Sequence, residues 1–111
     1  MEPASRSPLP SPLTGTFTAL YTPFTPQGAV DVPALRALCE RLVAEGVGLV
    51  PCGTTGETPT LSADEYALVI TTAVEVAAGR VPVIAGTGGN DTRKAIATTR
   101  LAAGLGVDAA L

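Results

Sequence analysis

The sequence has 111 residues, of which 46% are hydrophobic and 15% charged, and its formal net charge is −3. This length allows one small domain, and the apolar content predicts a packed core rather than a disordered chain. The acidic balance argues against nucleic-acid binding, and no apolar run approaches the roughly 20 residues of a membrane span. The absence of histidine excludes His-dependent triads and His-ligated zinc within the chain.

The cysteines predict a reducing, cytoplasmic location, because two of them cannot form a disulfide scaffold. We expect Cys39 and Cys52 to be buried as small apolar groups, and no metal-ligand spacing links them. Residues 1–12 contain four prolines and three serines, which predicts a disordered, extended tail before a domain at 13–111.

After this tail, short apolar runs alternate with helical patterns. Strands are predicted at Thr16–Phe24, Val47–Cys52, Val81–Ala85 and Val107–Leu111. Their starts are spaced by roughly thirty residues, the size of a βα unit, so an α/β fold with parallel strands is expected. The sequence stops in a buried-type strand, which favours the first three and a half units of a longer domain.

Three helices are predicted between these strands. The first has Asp31 as its cap and ends at Gly46, with an apolar stripe of Leu35, Leu38, Cys39, Leu42 and Val43. The second begins with the capping box Ser62–Glu65 and ends at Gly79, with a stripe of Tyr66, Val69, Ile70, Ala73, Val74 and Ala77. The third runs from about Asp91 to Gly104 or Gly106, with a weaker stripe of Ala95, Ile96 and Thr99.

Ligands of parallel α/β proteins bind at the carboxyl ends of the strands, where two glycine-rich loops are predicted. In Cys52–Glu57, glycines flank Thr54 and Thr55, so backbone N–H groups and two hydroxyls can converge on a small carboxylate. A hydroxyl can also pass a proton between neighbours. The loop Gly86–Asn90 is interpreted as a turn. Neither loop fits a nucleotide motif, since Glu57 follows Gly56 and Asp91 stands where the last glycine is needed.

Several segments of the sequence carry a resemblance to a known family. They are GTTGE with TPTLS at Gly53–Ser62, GRVPVIAGTG at Gly79–Gly88 with Asn90 and Thr92, and the opening ALYTPF at Ala19–Phe24. Together they resemble the dihydrodipicolinate synthase family of pyruvate-dependent lyases, over about Gly15 to Leu111. The resemblance implies a (β/α)8 TIM barrel and a lysine Schiff base with pyruvate that attacks aspartate semialdehyde, on the route to lysine and diaminopimelate.

By match of motif, the resemblance implies that Thr54 joins a proton relay and that Thr54 and Thr55 bind substrate, Thr55 holding the pyruvate carboxylate. No cofactor and no metal are expected, and relatives are commonly homotetramers. The family's Schiff-base lysine and catalytic tyrosines lie beyond Leu111, so the 111 residues alone are predicted to be inactive. Lys94 is expected to be a solvated helix charge, and Tyr21 to pack.

Other functions stay open at this level. The aldehyde can differ, as in lyases similar to N-acetylneuraminate lyase or to aldolases of 2-keto-3-deoxy sugar acids. A non-catalytic α/β module that binds a carboxylate at Gly53–Glu57 is the alternative from another class. In the family's lysine-inhibition site, the resemblance places Ala63 and Tyr66 at the histidine positions and Lys94 at the glutamate position, so lysine inhibition is not expected.

Overall fold

The computed structural model describes residues 13–111, and the predicted tail at 1–12 lies outside them. Within the described residues, strands and helices alternate in chain order, as the sequence predicts. The strands are β1 (Phe17–Ala19), β2 (Gly48–Val50), β3 (Ile84–Ala85) and β4 (Ala109–Ala110). The helices are α1 (Val32–Ala44), α2 (Ala63–Ala77) and α3 (Thr92–Gly104), with a 3₁₀ turn at Thr58–Thr60 that the sequence analysis did not predict.

The strands are parallel and follow one another across the fold. β1 pairs with β2 in the register Phe17↔Gly48, and β3 pairs with β4. A parallel bridge between Leu49 and Val83 joins the two pairs, which gives the order β1-β2-β3-β4. The carboxyl ends of all four strands therefore lie along one edge, where the two glycine-rich loops begin. Each strand is shorter than predicted, because the apolar runs continue into loops that pair only partly.

The predicted signals at both ends of α1 are confirmed. The Asp31 carboxylate accepts a hydrogen bond from the N–H of Ala34 at 3.0 Å, which satisfies a donor in the first turn. Beyond the last turn, Gly46 adopts a φ of +72°, a conformation that glycine reaches without steric cost. Three side chains spaced four residues apart along one face of the helix are buried, Leu35, Cys39 and Val43.

The capping box of α2 is also confirmed. Ser62 Oγ accepts from the N–H of Glu65 at 3.1 Å, while the Glu65 carboxylate accepts from the N–H of Ser62 at 2.9 Å. This reciprocal pair fixes where the helix begins after the first glycine-rich loop. The helix ends at Ala77, two residues before the predicted Gly79, and its C-cap Ala78 is left-handed with a φ of +48°.

The predicted stripe of α3 is wrong in part. Ile96 is 48% exposed and Thr99 is also exposed, whereas Ala102 is buried. The face that packs on the neighbouring elements instead runs through Ala95, Thr98, Ala102 and Leu105. The one buried residue of this face is the small Ala102, so hydrophobicity alone selects the wrong side of the helix.

The core lies between the sheet and the helices. Leu20, Leu49 and Val83 from the strand segments are buried with apolar side chains of α1 and α2, such as Leu35 and Ile70. On the surface, α1 and α2 are further joined by the ion pair of Arg36 with Glu75. Among residues 13–111, no helix is long and apolar enough to cross a membrane.

Candidate functional site

The two glycine-rich loops lie against each other at the carboxyl edge of the sheet. The N–H of Gly86 donates to the carbonyl of Pro51 at 2.9 Å, which extends the β2–β3 contact past the ends of both strands. A side chain at Gly86 would overlap the Cys52 carbonyl. Glycine at this position is therefore a steric requirement of the site, whereas Gly89 has open space around it.

The segment Gly53–Glu57 forms consecutive tight turns. The N–H of Gly56 donates to the Gly53 carbonyl, and the N–H of Glu57 to the Thr54 carbonyl, both at 3.0 Å. Cys52 before the turns and Glu57 at their end both have a φ of +59°, which non-glycine residues seldom adopt. Backbone strain of this kind persists where the surroundings impose it and is common at functional sites.

Thr54 and Thr55 occupy the exposed tip of this segment. Within residues 13–111, neither their N–H groups nor their hydroxyls donate to another residue. The structure therefore brings two hydroxyls and two free N–H groups together at the carboxyl edge of the sheet, a set of donors suited to an anionic oxygen.

Two buried hydroxyls that the sequence analysis did not single out hold the loops in place. Thr22 Oγ1 donates to the Gly56 carbonyl at 2.8 Å, and Tyr66 Oη donates to the Gly86 carbonyl at 2.8 Å. Burial raises the pKa of Tyr66 to about 12, with a smaller contribution from the nearby Cys52 thiol. The apolar stripe predicted for α2 contains Tyr66, and a tyrosine buried in such a stripe requires a polar partner for its hydroxyl.

Tyr21 differs from its prediction. Its side chain is 56% exposed, although we expected it to pack, while the residues on either side of it are buried. The prediction failed because β1 has helices on one face only in this structure, and Tyr21 lies on the other.

Both cysteines are buried free thiols, as predicted. Burial raises the pKa of Cys39 to about 11 and that of Cys52 to about 12, so both stay protonated at neutral pH. Cys52 thus acts as an apolar support beneath the threonine loop rather than as a nucleophile. In the part of the chain that the structure describes, no three acidic or cysteine side chains are grouped to hold a metal ion.

A cleft of about 700 Å³ lies between the N-terminal ends of α2 and α3. Ala63, Tyr66 and Lys94, which the sequence analysis associated with one site, all line it. Lys94 is exposed in the first turn of α3, in agreement with the prediction of a solvated charge. Thr54 and Thr55 do not line this cleft.

Comparisons with known proteins agree with this geometry. The family model described as "Dihydrodipicolinate synthetase family" matches residues 12–111. The 4-hydroxy-tetrahydrodipicolinate synthase of Sorangium cellulosum is 63% identical over 97 residues, covering 86% of this chain and 32% of that protein. The crystal structure of dihydrodipicolinate synthase from Aquifex aeolicus has a TM-score of 0.82 at 49% identity, covering 86% of this chain and 33% of that one.

A further structure, the chloride-inhibited dihydrodipicolinate synthase of Acinetobacter baumannii complexed with pyruvate, has a TM-score of 0.86 at 44% identity. It covers 89% of this chain and 34% of that one. The chain thus spans about a third of the length of the relatives it matches. Its fold corresponds to the first three and a half βα units of their (β/α)8 barrel, which confirms the predicted fold class. The chain belongs to the dihydrodipicolinate synthetase family.

Proposed function

We propose that the protein carrying this chain is a cytoplasmic lyase that condenses pyruvate with aspartate semialdehyde through a lysine Schiff base. The product would be 4-hydroxy-tetrahydrodipicolinate, a precursor of diaminopimelate and lysine. The names of similar relatives, 4-hydroxy-tetrahydrodipicolinate synthases of Sorangium cellulosum and Brucella abortus, support this activity. Within the chain, the observation that carries it is the exposed pair Thr54 and Thr55, held by buried hydrogen bonds at the carboxyl edge of a parallel sheet.

Thr55 would bind the carboxylate of pyruvate. Its hydroxyl and its N–H group are both free of partners among the described residues, so both can donate to one carboxylate. Hydrogen bonds to a charged group are roughly twice as strong as those between neutral groups. The left-handed residues on either side of the turns preorganise these donors, so little ordering is needed when pyruvate binds.

Thr54 would act as a relay in proton transfer. A hydroxyl can donate one proton while it accepts another, which allows a proton to move between an imine nitrogen and solvent without a change in the charge of the threonine. Imine formation releases water and needs protons delivered and removed in sequence, so such a relay would affect turnover more than binding.

The covalent anchor for pyruvate would come from sequence outside these 111 residues. The one lysine of the sequence, Lys94, is exposed on α3. It lines the cleft between α2 and α3, which Thr54 and Thr55 do not line. Lys94 is exposed and does not share a site with Thr54 and Thr55, so it is not placed to form an imine with pyruvate bound by these threonines. The complete protein is proposed to assemble as a homotetramer.

Trapping of the imine tests this proposal. Full-length protein incubated with labelled pyruvate and borohydride is expected to incorporate label at one lysine per subunit, whereas the 111-residue chain alone incorporates none. Stoichiometric labelling of the isolated chain would refute the assignment of the lysine, and failure of the full-length protein to be labelled would refute the activity.

Two variants of the full-length protein test the roles of the threonines. Thr54→Val is expected to lower kcat about 100-fold with little change in the KM for pyruvate, since it removes a proton path and keeps the shape. Thr55→Val is expected to raise the KM for pyruvate about tenfold. Thr99→Val, at an exposed threonine of α3, is the matched control. The opposite pattern in the two variants would show that the roles are exchanged.

A further inference from the structure

Tyr21 lies on the open face of the sheet, directly after β1. The N–H of Leu20 donates to the Val50 carbonyl at 3.0 Å, so the pairing of β1 with β2 continues past Ala19. Side chains of a paired strand alternate between its faces. Leu20 and Thr22 are 2% and 4% exposed on the helix side, whereas Tyr21 is 56% exposed on the other side.

The open face corresponds to the interior of the complete barrel. In a (β/α)8 barrel the helices surround the strands, and the opposite face of each strand points inward. The core that contains Leu20 is formed with α1 and α2, so it marks the outer side of β1. Tyr21 follows the carboxyl end of the strand and therefore lies on the inner side, at the end of the barrel where active sites are built.

The loop with the threonine pair is fixed to the residues on both sides of Tyr21. Thr22 Oγ1 donates to the Gly56 carbonyl at 2.8 Å. On the other side, the Leu20 carbonyl would be only 3.1 Å from a Cβ placed on Gly56. Contacts one residue away thus set the position of Tyr21 relative to Gly53–Glu57, and both segments lie at the carboxyl edge of the sheet.

The phenol of Tyr21 has no hydrogen-bond partner among residues 13–111. A phenol can donate and accept, and once enclosed by a barrel it requires a polar partner. In the proposed reaction the polar groups of pyruvate are already engaged, because Thr55 binds its carboxylate and its keto carbon is joined to lysine. The polar groups of the second substrate are therefore the ones available to the Tyr21 phenol. The aldehyde substrate brings an additional carboxylate, which can accept from a phenol.

On this basis, and resting on the proposed function, we infer that Tyr21 is a substrate-binding residue whose hydroxyl donates to the aldehyde substrate. It would favour an aldehyde whose anionic or hydrogen-bonding group reaches the Tyr21 hydroxyl while the aldehyde carbon lies at the bound pyruvate. Pyruvate binding and imine formation do not depend on it.

The test uses Tyr21→Phe in the full-length protein, which removes the hydroxyl and keeps the ring. The KM for aspartate semialdehyde is expected to rise about tenfold, as for loss of a hydrogen bond to a charged group, while the KM for pyruvate stays within about twofold. Borohydride trapping of labelled pyruvate is expected to be unchanged. Phe24→Leu, at another exposed aromatic residue near β1, serves as the control and should leave both KM values unchanged.

An aldehyde KM for Tyr21→Phe within about twofold of the wild-type value would overturn the inference, as would an equal rise in both KM values. The proposed function fails separately, by the absence of a trapped imine in the wild-type protein. Normal trapping with an unaltered aldehyde KM would leave the proposed function standing and refute the role of Tyr21 alone.

Discussion

Replacement of Gly86 by alanine tests how tightly the two loops of the site depend on each other. The added methyl group would lie 2.6 Å from the Cys52 carbonyl carbon and 2.8 Å from the Gly53 nitrogen, and it would overlap the carbonyl oxygen. All three are backbone atoms at the end of β2, so no flexible side chain can move aside. Relief of the overlap requires a shift of the segment that carries Thr54 and Thr55.

The expected cost follows from these contacts. Overpacking of a well-packed interior costs about 1–3 kcal/mol, and here the obstacle is backbone. Gly89→Ala is the matched control, since a Cβ there meets no atom within 4 Å. The same glycine-to-alanine change at an unstrained site is worth about 0.4–1 kcal/mol of stabilisation through the unfolded chain. The two variants should therefore differ by about 1.4–4 kcal/mol in the free energy of unfolding.

The assay is urea denaturation of both variants in the full-length protein, together with the KM for pyruvate. Gly86→Ala should lower the free energy of unfolding and raise this KM, while Gly89→Ala should leave the KM unchanged. Equal stabilities of the two variants would show that the contact between Gly86 and Cys52 does not position the loop, and the reasoning would be refuted.

Three further predictions follow from other parts of the site. Thr22→Val leaves the buried Gly56 carbonyl without its donor and should cost about 1–3 kcal/mol of stability, measured by urea denaturation. Thr72→Val, which removes a bond to a carbonyl within α2, should cost less, and equal losses would contradict the tethering role. The free energy of unfolding should fall as pH rises above about 9. Burial raises the pKa values of Cys39, Cys52 and Tyr66 to about 11 or 12, whereas the same groups in the unfolded chain lose their protons near pH 9 to 10. The unfolded chain therefore releases protons that the folded state keeps, which favours unfolding at high pH. A urea midpoint that is constant between pH 8 and about 10.5 would refute this linkage. Free lysine should not inhibit the full-length protein, because Lys94 in the cleft repels a second ammonium and Tyr66 is bonded to Gly86. Calorimetric binding of lysine accompanied by inhibition would contradict it.

Local signals in the sequence were sufficient for the helices and for the strand order. The capping box at Ser62 and the cap at Asp31 act within a single turn, so a pattern of residue types predicts them reliably. The spacing of the apolar runs predicts parallel strands because a βα unit has a nearly fixed size. The packing face of α3 was missed, since it depends on small residues such as Ala102 that fit a close neighbour.

The support of the site was not predictable in the same way. Thr22 and Tyr66 act on carbonyls that are 34 and 20 residues distant in the chain, and no local pattern encodes such a partner. The exposure of Tyr21 likewise depends on which face of β1 the helices cover. The sequence identified the loop Gly53–Glu57 as a candidate site because a turn does not require two adjacent threonines and a glutamate. The hydrogen bond from Thr22 that anchors this loop is visible only once the fold is known.

A crystal structure of the full-length protein reduced with pyruvate would examine the role of the threonine pair most directly. We expect the Thr55 hydroxyl and N–H within hydrogen-bonding distance of the pyruvate carboxylate, and the Thr54 hydroxyl directed toward the lysine nitrogen of the reduced adduct. An adduct whose carboxylate is bound by other residues, with both threonines turned to solvent, would contradict the proposed site.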